Sequence, residues 1–447
     1  MTTAQAAPGP SPGIERSQWR VIILSSLGGA LEFYDFVVYS MFAQYIGSAF
    51  FPASTPLTSL MLSFTVFAVG YLARPLGGVI FSHFGDKYGR RKVFITAMLL
   101  MSLSTLSMGL LPTYASWGVT ASVLMVALRL LQGFCLGGEL PGAITYVVET
   151  APRTAGFAAG FIFFCVNSGV AVASTLNLVV HKVLDEGQVS QFGWRIGFIF
   201  GGLLGFISFY LRLSLQETRE FQNLRHTAVS KRPLADLLKT QPASVIVGVS
   251  SMIATAGYNG LLFAMPAFLP RVMHYTATEA AEAQNVCLVV LSFGLLTAAW
   301  LGDKFPRRYI LGFGALILTV FSLPFFQALS ERTTGLMTLA VLAGLAASFV
   351  NGPMCAVAAD LFPTRIRFSG VAVSFNLAFS IFSGVAPLVA TALVATTGSA
   401  AAPGYYMAGC ALLTLIGCFF LHRYDGRILS EQRDRAPTPA TSSFPAQ

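Results

Sequence analysis

Charge is what this chain has least of. Only 11% of its 447 residues are Asp, Glu, Lys or Arg, whereas 55% are hydrophobic. That scarcity excludes an ordinary soluble domain, because a single core stops growing well before it would use so much apolar surface. Catalytic signatures are missing too. There is no HExxH, GxSxG, Walker or CxxC pattern, so an embedded enzyme has no support and nothing would hydrolyse ATP for a primary pump. The six cysteines, Cys135, Cys165, Cys287, Cys355, Cys410 and Cys418, fall inside apolar stretches and read as small buried side chains, with no metal site or disulfide implied. Histidine is confined to His83, His181, His226, His274 and His422, all at or beyond the ends of those stretches. The net charge of +9 does not point to nucleic acid, since the basic residues sit in short gaps between apolar runs, where topology-setting charge belongs. The first apolar run carries Glu32 and Asp35 and lacks a small-residue cleavage site beside a short hydrophobic segment, so it reads as a retained span.

What the chain has instead is a series of apolar runs long enough to cross a bilayer. The runs are continuous rather than alternating, and backbone groups in lipid must be paired internally, so they read as helices. Twelve are expected, at about 20–50, 58–84, 92–112, 117–147, 155–180, 194–214, 244–271, 284–303, 308–327, 335–360, 367–397 and 403–424. The implied fold class is an all-α polytopic membrane protein with two six-helix bundles, 20–214 and 244–424. A charged, proline-containing linker at 215–243 joins them, and Pro/Ala/Ser/Thr-rich tails at 1–19 and 425–447 are expected to be disordered. With the N-terminus inside, 22 of the 28 Lys and Arg residues fall on the inner side. The outer side keeps Lys182, Arg195, Arg271 and Arg332, leaving Arg74 and Arg129 within spans. That asymmetry places both termini in the cytoplasm and the chain in the plasma (inner) membrane.

Two segments repeat. GDKYGRRKVF at 85–94 and GDKFPRRYIL at 302–311 lie 217 residues apart, each joining the second and third helix of a six-helix half. ETAPRTAGF (149–157) and DLFPTRIRF (360–368) form a second echo, each closing a fourth helix with an acid three residues before a proline. Topology-setting charge accounts for the arginines but not for Asp86 and Asp303. Two related bundles suit a carrier that rocks around a central site.

These segments resemble the major facilitator superfamily. GDKYGRRK is similar to its loop signature between helices 2 and 3, G-x-x-x-D-[RK]-x-G-R-[RK], with Ser82 at the first glycine and Pro306 replacing the inner glycine of the second copy. RLLQGFCLGGE (129–139) and VETAPR (148–153) resemble the motifs on and closing its fourth helix. LEFYDF (31–36), YLARPLGG (71–78), QGFCLGGE and GWRIGF (193–198) narrow the resemblance to the metabolite–proton symporter family, whose members import proline and betaine, citrate, shikimate or α-ketoglutarate. The resemblance spans nearly the whole chain and is dense in the first half. It implies a cytoplasmic gate that holds the bundles together while the carrier faces outward. Asp86 and Arg90 would form it, with Glu149 and Arg153 beside them, and Asp303, Arg307 and Arg308 as a weaker counterpart because Pro306 alters the turn.

Five ionisable residues fall at membrane depth, Glu32, Asp35, Arg74, Arg129 and Glu139, and such groups are costly and usually functional. They could simply neutralise one another as a packing network. Fully ionised, however, two arginines and three carboxylates sum to minus one, and one bound proton restores neutrality. Glu32, Asp35 and Glu139 are therefore the proton-coupling candidates. Arg74 or Arg129 could clamp a carboxylate, since guanidinium suits bidentate pairing. Tyr34, Asp35, Asn259 and Asn376 are further substrate-binding candidates, with Asn351 as equally plausible helix glue. Phe33, Tyr34, Phe36 and Tyr39 read as packing aromatics that could also cradle a quaternary ammonium. The steps Gly133–Gly137 and Gly201–Gly205 read as close-packing faces.

The expected function is proton-coupled uptake of a small organic carboxylate by alternating access, with no cofactor beyond the proton gradient. The partners are solute, protons and the lipid bilayer, not nucleic acid, and a single chain suffices. A proline- or betaine-like zwitterion is the nearest alternative, ahead of a proton-driven exporter or a transporter-like sensor.

Overall fold

The computed structural model describes residues 16–88, 90–137, 139–150, 154–214, 237, 239–363 and 366–423. The side chains at 81–94 and at Glu139 lie outside the described residues, as does Arg153. The described residues are helical almost throughout and contain no strand. Nine helices among them are long and apolar enough to cross a membrane, and Ile95–Leu110 is a shorter apolar helix. With the first and sixth spans they trace the twelve expected helices, and large apolar side chains such as Leu76, Val119 and Phe419 face outward, where lipid would cover them.

Several expected helices differ in detail. The first divides at Phe42 into Arg16–Met41 and Ala43–Phe50. The fourth divides into Val119–Cys135 and Glu139–Thr150, at the point where Gly137 lies against the second span: a Cβ there would stand 2.5 Å from the Gly78 nitrogen. The eighth, Ala277–Lys304, begins seven residues before the expected start. Thr276 and Glu279 form a capping box that turns a polar segment into the first helical turn. The eleventh runs as Arg367–Ala378, a π turn at Phe379–Ser383, and Ala386–Thr397.

Packing repeats between the halves. The second span lies on the fourth and the eighth on the tenth, while the third pairs with the sixth and the ninth with the twelfth. Between the halves, the fifth span (Ala155–Val183) runs along the eighth, and the second meets the eleventh.

Prolines help build that junction. A proline removes the N–H that would bond the carbonyl four residues earlier, leaving that oxygen to find another partner. Pro75 frees the Tyr71 carbonyl, which accepts Ser380 Oγ from the eleventh span at 2.7 Å. Gly137, at the break in the fourth span, likewise offers its carbonyl to Asn376 Nδ2 at 3.0 Å. Pro266 frees that of Leu262 for Gln284 Nε2 at 2.8 Å, and Gln284 in turn accepts Ser174 Oγ from the first half at 3.1 Å.

Candidate functional site

The clasp face carries the two GDK segments. Asp86 ends the second span and Arg90 opens the third, and their side chains lie outside the described residues. The second copy is fully formed. Asp303 accepts the backbone N–H groups of Gly156 and Phe157 at 2.7 and 2.8 Å, at the start of the fifth span in the other half. A helix N-terminus presents unpaired donors and a favourable dipole to a carboxylate. A Cβ at Gly156 would stand 2.5 Å from Asp303 Oδ1, so only glycine lets the carboxylate reach those amides. Arg307 ties Asp303 at 2.9 Å to Asp360 at 2.5 Å. Pro306 does not separate these groups, because it stands at the N-cap of the ninth helix, where no N–H is needed. Glu149 pairs with Arg367 of the second half at 2.9 Å, a partner that was not among the expected gate residues. Among the described residues Arg308 lies over the ring of its neighbour Tyr309. Charge-assisted bonds such as those of Asp303 contribute about 1.5–3 kcal/mol each, against about 0–1 for an exposed pair such as Glu149–Arg367. Asp303 therefore dominates the described clasp.

Deeper in the first half, Arg74 on the second span and Arg129 on the fourth are completely buried. Gly70, Gly133 and Gly137 let the two backbones touch, and Gly70 also gives Arg129 its room: a Cβ there would meet Arg129 Nε at 3.0 Å. The Arg129 guanidinium carbon stands 3.8, 4.7 and 4.9 Å from the ring centres of Phe36, Tyr39 and Phe67. That of Arg74 stands 5.9, 5.3 and 5.6 Å from those of Phe33, Tyr71 and Phe375. The aromatics that could have cradled a solute cation thus already hold the protein's own cations.

The two arginines differ in their compensation. Glu32 acts electrostatically on Arg74. Arg129 has no carboxylate partner among the described residues; its Nη1 donates to Gln132 Oε1, and its Nε and Nη2 are buried without acceptors. Arg74 Nε and Nη1 also lack acceptors.

Asp35 lies behind the first span, in a niche made by the third and sixth. The Gly201–Gly205 step accommodates it: Cβ atoms there would stand 2.6 and 3.4 Å from its two carboxylate oxygens. Glu32 and Asp35 line one gap of about 10 Å³ with Ser102 and Gly205, room for roughly one water. Gln132 and Thr105, absent from the sequence-based candidates, bridge this niche to Arg129. Gln132 Nε2 donates to the Asp35 backbone carbonyl and to Thr105 Oγ1, both at 2.8 Å, and the Thr105 hydroxyl donates to the Met101 carbonyl at 3.0 Å.

The remaining candidates separate. Tyr34 donates to the Gly197 carbonyl at 2.9 Å and faces the sixth span, away from the arginines. Asn259 donates to Asn351 at 3.0 Å within the second half, whereas Asn376 reaches across to Gly137 near Arg74. Glu139 opens the helix Glu139–Thr150, with its side chain outside the described residues. A cavity of about 490 Å³ lies in the second half among apolar chains of the seventh to tenth spans. Arg129 is not among its lining, so a polar solute reaches Arg129 only if the halves part.

A family model described as Major Facilitator Superfamily matches residues 23–291 and 247–445. The chain belongs to the major facilitator superfamily. It is 33% identical over 419 residues to the citrate-proton symporter of Klebsiella pneumoniae, covering 92% of this chain and 94% of that one. It is 31% identical over 442 residues to the proline/betaine transporter of Salmonella typhimurium, covering 95% and 86%. Among solved structures it resembles a D-xylose-proton symporter, with a TM-score of 0.71 at 19% identity over 91% of this chain and 98% of that one. Members of the superfamily with this two-bundle fold are membrane transporters and not enzymes. A rocking carrier must make and break the contacts between its halves, such as those of Asp303 with Gly156 and Phe157 and of Glu149 with Arg367.

Proposed function

We propose that this chain imports a small organic carboxylate together with protons by alternating access, acting as a monomer in the plasma membrane with the clasp face and both termini in the cytoplasm. The observation that carries the reading is Arg129, a fully buried guanidinium with two unsatisfied nitrogens and no carboxylate partner among the described residues. A buried unpaired cation is expensive, so the site favours an arriving anion, and a guanidinium edge suits a carboxylate.

Coupling follows from charge. With the solute absent, Asp35, linked to Arg129 only indirectly through Gln132, balances its charge at a distance without pairing with it. A solute carboxylate on Arg129 takes over that compensation and leaves one negative charge in excess. A proton on Asp35 restores neutrality, so solute and proton travel together. Glu32 beside Arg74 gives the proton a neighbouring acceptor, and Glu139 a third. Asn376, next to Arg74 and reaching across the halves, is a further solute contact, while Asn259 and Tyr34 serve packing. No resident cofactor enters the reading.

A zwitterion such as proline or betaine could also place its carboxylate on Arg129, as the relatives named for those solutes invite. Its cation would then meet aromatic faces already stacked on guanidinium, which disfavours it. The test is thermal stabilisation of purified protein by a panel of di- and tricarboxylates, proline and betaine. Stabilisation by carboxylates alone is expected. Stabilisation by betaine and not by carboxylates would reverse the substrate assignment.

A further inference from the structure

The face opposite the clasp holds a titratable cluster that the central site does not use. His181 ends the fifth span, with its Nδ1 2.8 Å from the Asn177 carbonyl oxygen. That oxygen only accepts, so Nδ1 carries a hydrogen. In the neutral ring Nε2 is then an acceptor, and it takes the Tyr45 hydroxyl at 2.8 Å. Glu186 Oε1 stands 3.2 Å from the same hydroxyl oxygen, which has one hydrogen to give. A proton on Nε2 reverses the arrangement: Nε2–H donates to Tyr45, and the hydroxyl hydrogen turns to Glu186.

The chain neighbours of these residues bridge the two halves. Gln44, beside Tyr45, accepts Arg271 Nε at 3.1 Å, and Lys182, beside His181, pairs with Glu282 at 2.6 Å. Arg271 also acts electrostatically on the Tyr45 hydroxyl. The other charged groups nearby are committed elsewhere: Asp185 caps the Gln188 amide, Arg195 bonds the carbonyls of Gly109 and Leu111, and Glu279 caps its own helix.

We propose that His181, Tyr45 and Glu186 form a proton-operated latch on this face. Protonated His181 turns the Tyr45 hydroxyl to Glu186 and adds a positive charge in the first half beside Arg271 of the second, weakening the Arg271–Gln44 contact that helps hold the face shut. Acid therefore favours opening. The inference needs alternating access but not the carboxylate assignment.

The test is the distance between spin labels at Ser116 and Thr333, exposed loop positions of the two halves on this face, in solute-free protein at pH 7.5 and 5.5. The widely separated population should rise about threefold in acid, in keeping with the size of exposed charge interactions. His181→Gln and Tyr45→Phe should each remove that rise, and Asp35→Asn should keep it. No rise in the otherwise unaltered protein, a full rise in either latch variant, or its loss in Asp35→Asn alone would overturn the latch. The last result would leave the central proton site standing.

Discussion

Replacing Arg129 with lysine is expected to raise the dissociation constant of the transported carboxylate about 30-fold, with the protein still folded in the membrane. Lysine keeps the positive charge but presents a compact ammonium, which cannot offer two parallel N–H groups to one carboxylate. Losing one charge-assisted bond costs about 2 kcal/mol, which is the stated change in affinity. The flat guanidinium also lies against Phe36, Tyr39 and Phe67, so the ammonium loses stacking and is held less firmly. Arg129→Gln removes the charge altogether and should abolish measurable binding. Titration calorimetry on purified protein checks both variants. Unchanged affinity in the lysine variant would make Arg129 a structural cation.

Asp35→Asn is expected to abolish accumulation against a gradient while leaving solute exchange intact. Asparagine is nearly the same shape and fits the niche beside Gly201 and Gly205, yet it cannot bind or release a proton. For one proton carried with each solute, and no membrane potential, each pH unit across the membrane sustains about a tenfold solute gradient, because one unit is about 1.4 kcal/mol. Vesicles with a difference of two units should therefore concentrate the solute about 100-fold with the native chain and reach only equilibrium with the variant. Counterflow at equal pH should persist, since the amide mimics the protonated acid. Accumulation by the variant at the native level would move the coupling proton to Glu32 or Glu139.

Much of the architecture was legible in the sequence. Long uninterrupted apolar runs have one stable outcome in lipid, and the repeated GDK segments announced two related halves. Buried charge was legible for the same reason: Arg74 and Arg129 stand out against apolar neighbours on both sides. The Gly201–Gly205 step could be read as a packing face, but not as the niche of a carboxylate supplied by another helix.

What could not be read is mostly tertiary. Gln132 and Thr105 are neutral side chains whose importance arises only where the third, fourth and first spans meet. Sequence spacing placed Tyr34 and Phe36 together around the acids, but the first span turns Tyr34 to the sixth helix and Phe36 to Arg129. The Glu149–Arg367 pair joins residues 218 positions apart, beyond any local pattern. The prolines carried a signal that local reasoning passed over. Pro75 and Pro266 each free one carbonyl, taken by Ser380 of the other half and by Gln284, which in turn meets Ser174 of the first half.

The account rests on a solute carboxylate and a proton entering the same low-dielectric site together. Its most direct test is the proton uptake when purified protein in weakly buffered detergent solution, near neutral pH, is mixed with a stabilising carboxylate. One proton bound per solute, absent in Asp35→Asn, is the predicted result. Solute binding with no proton uptake by the native chain across the neutral range would contradict it.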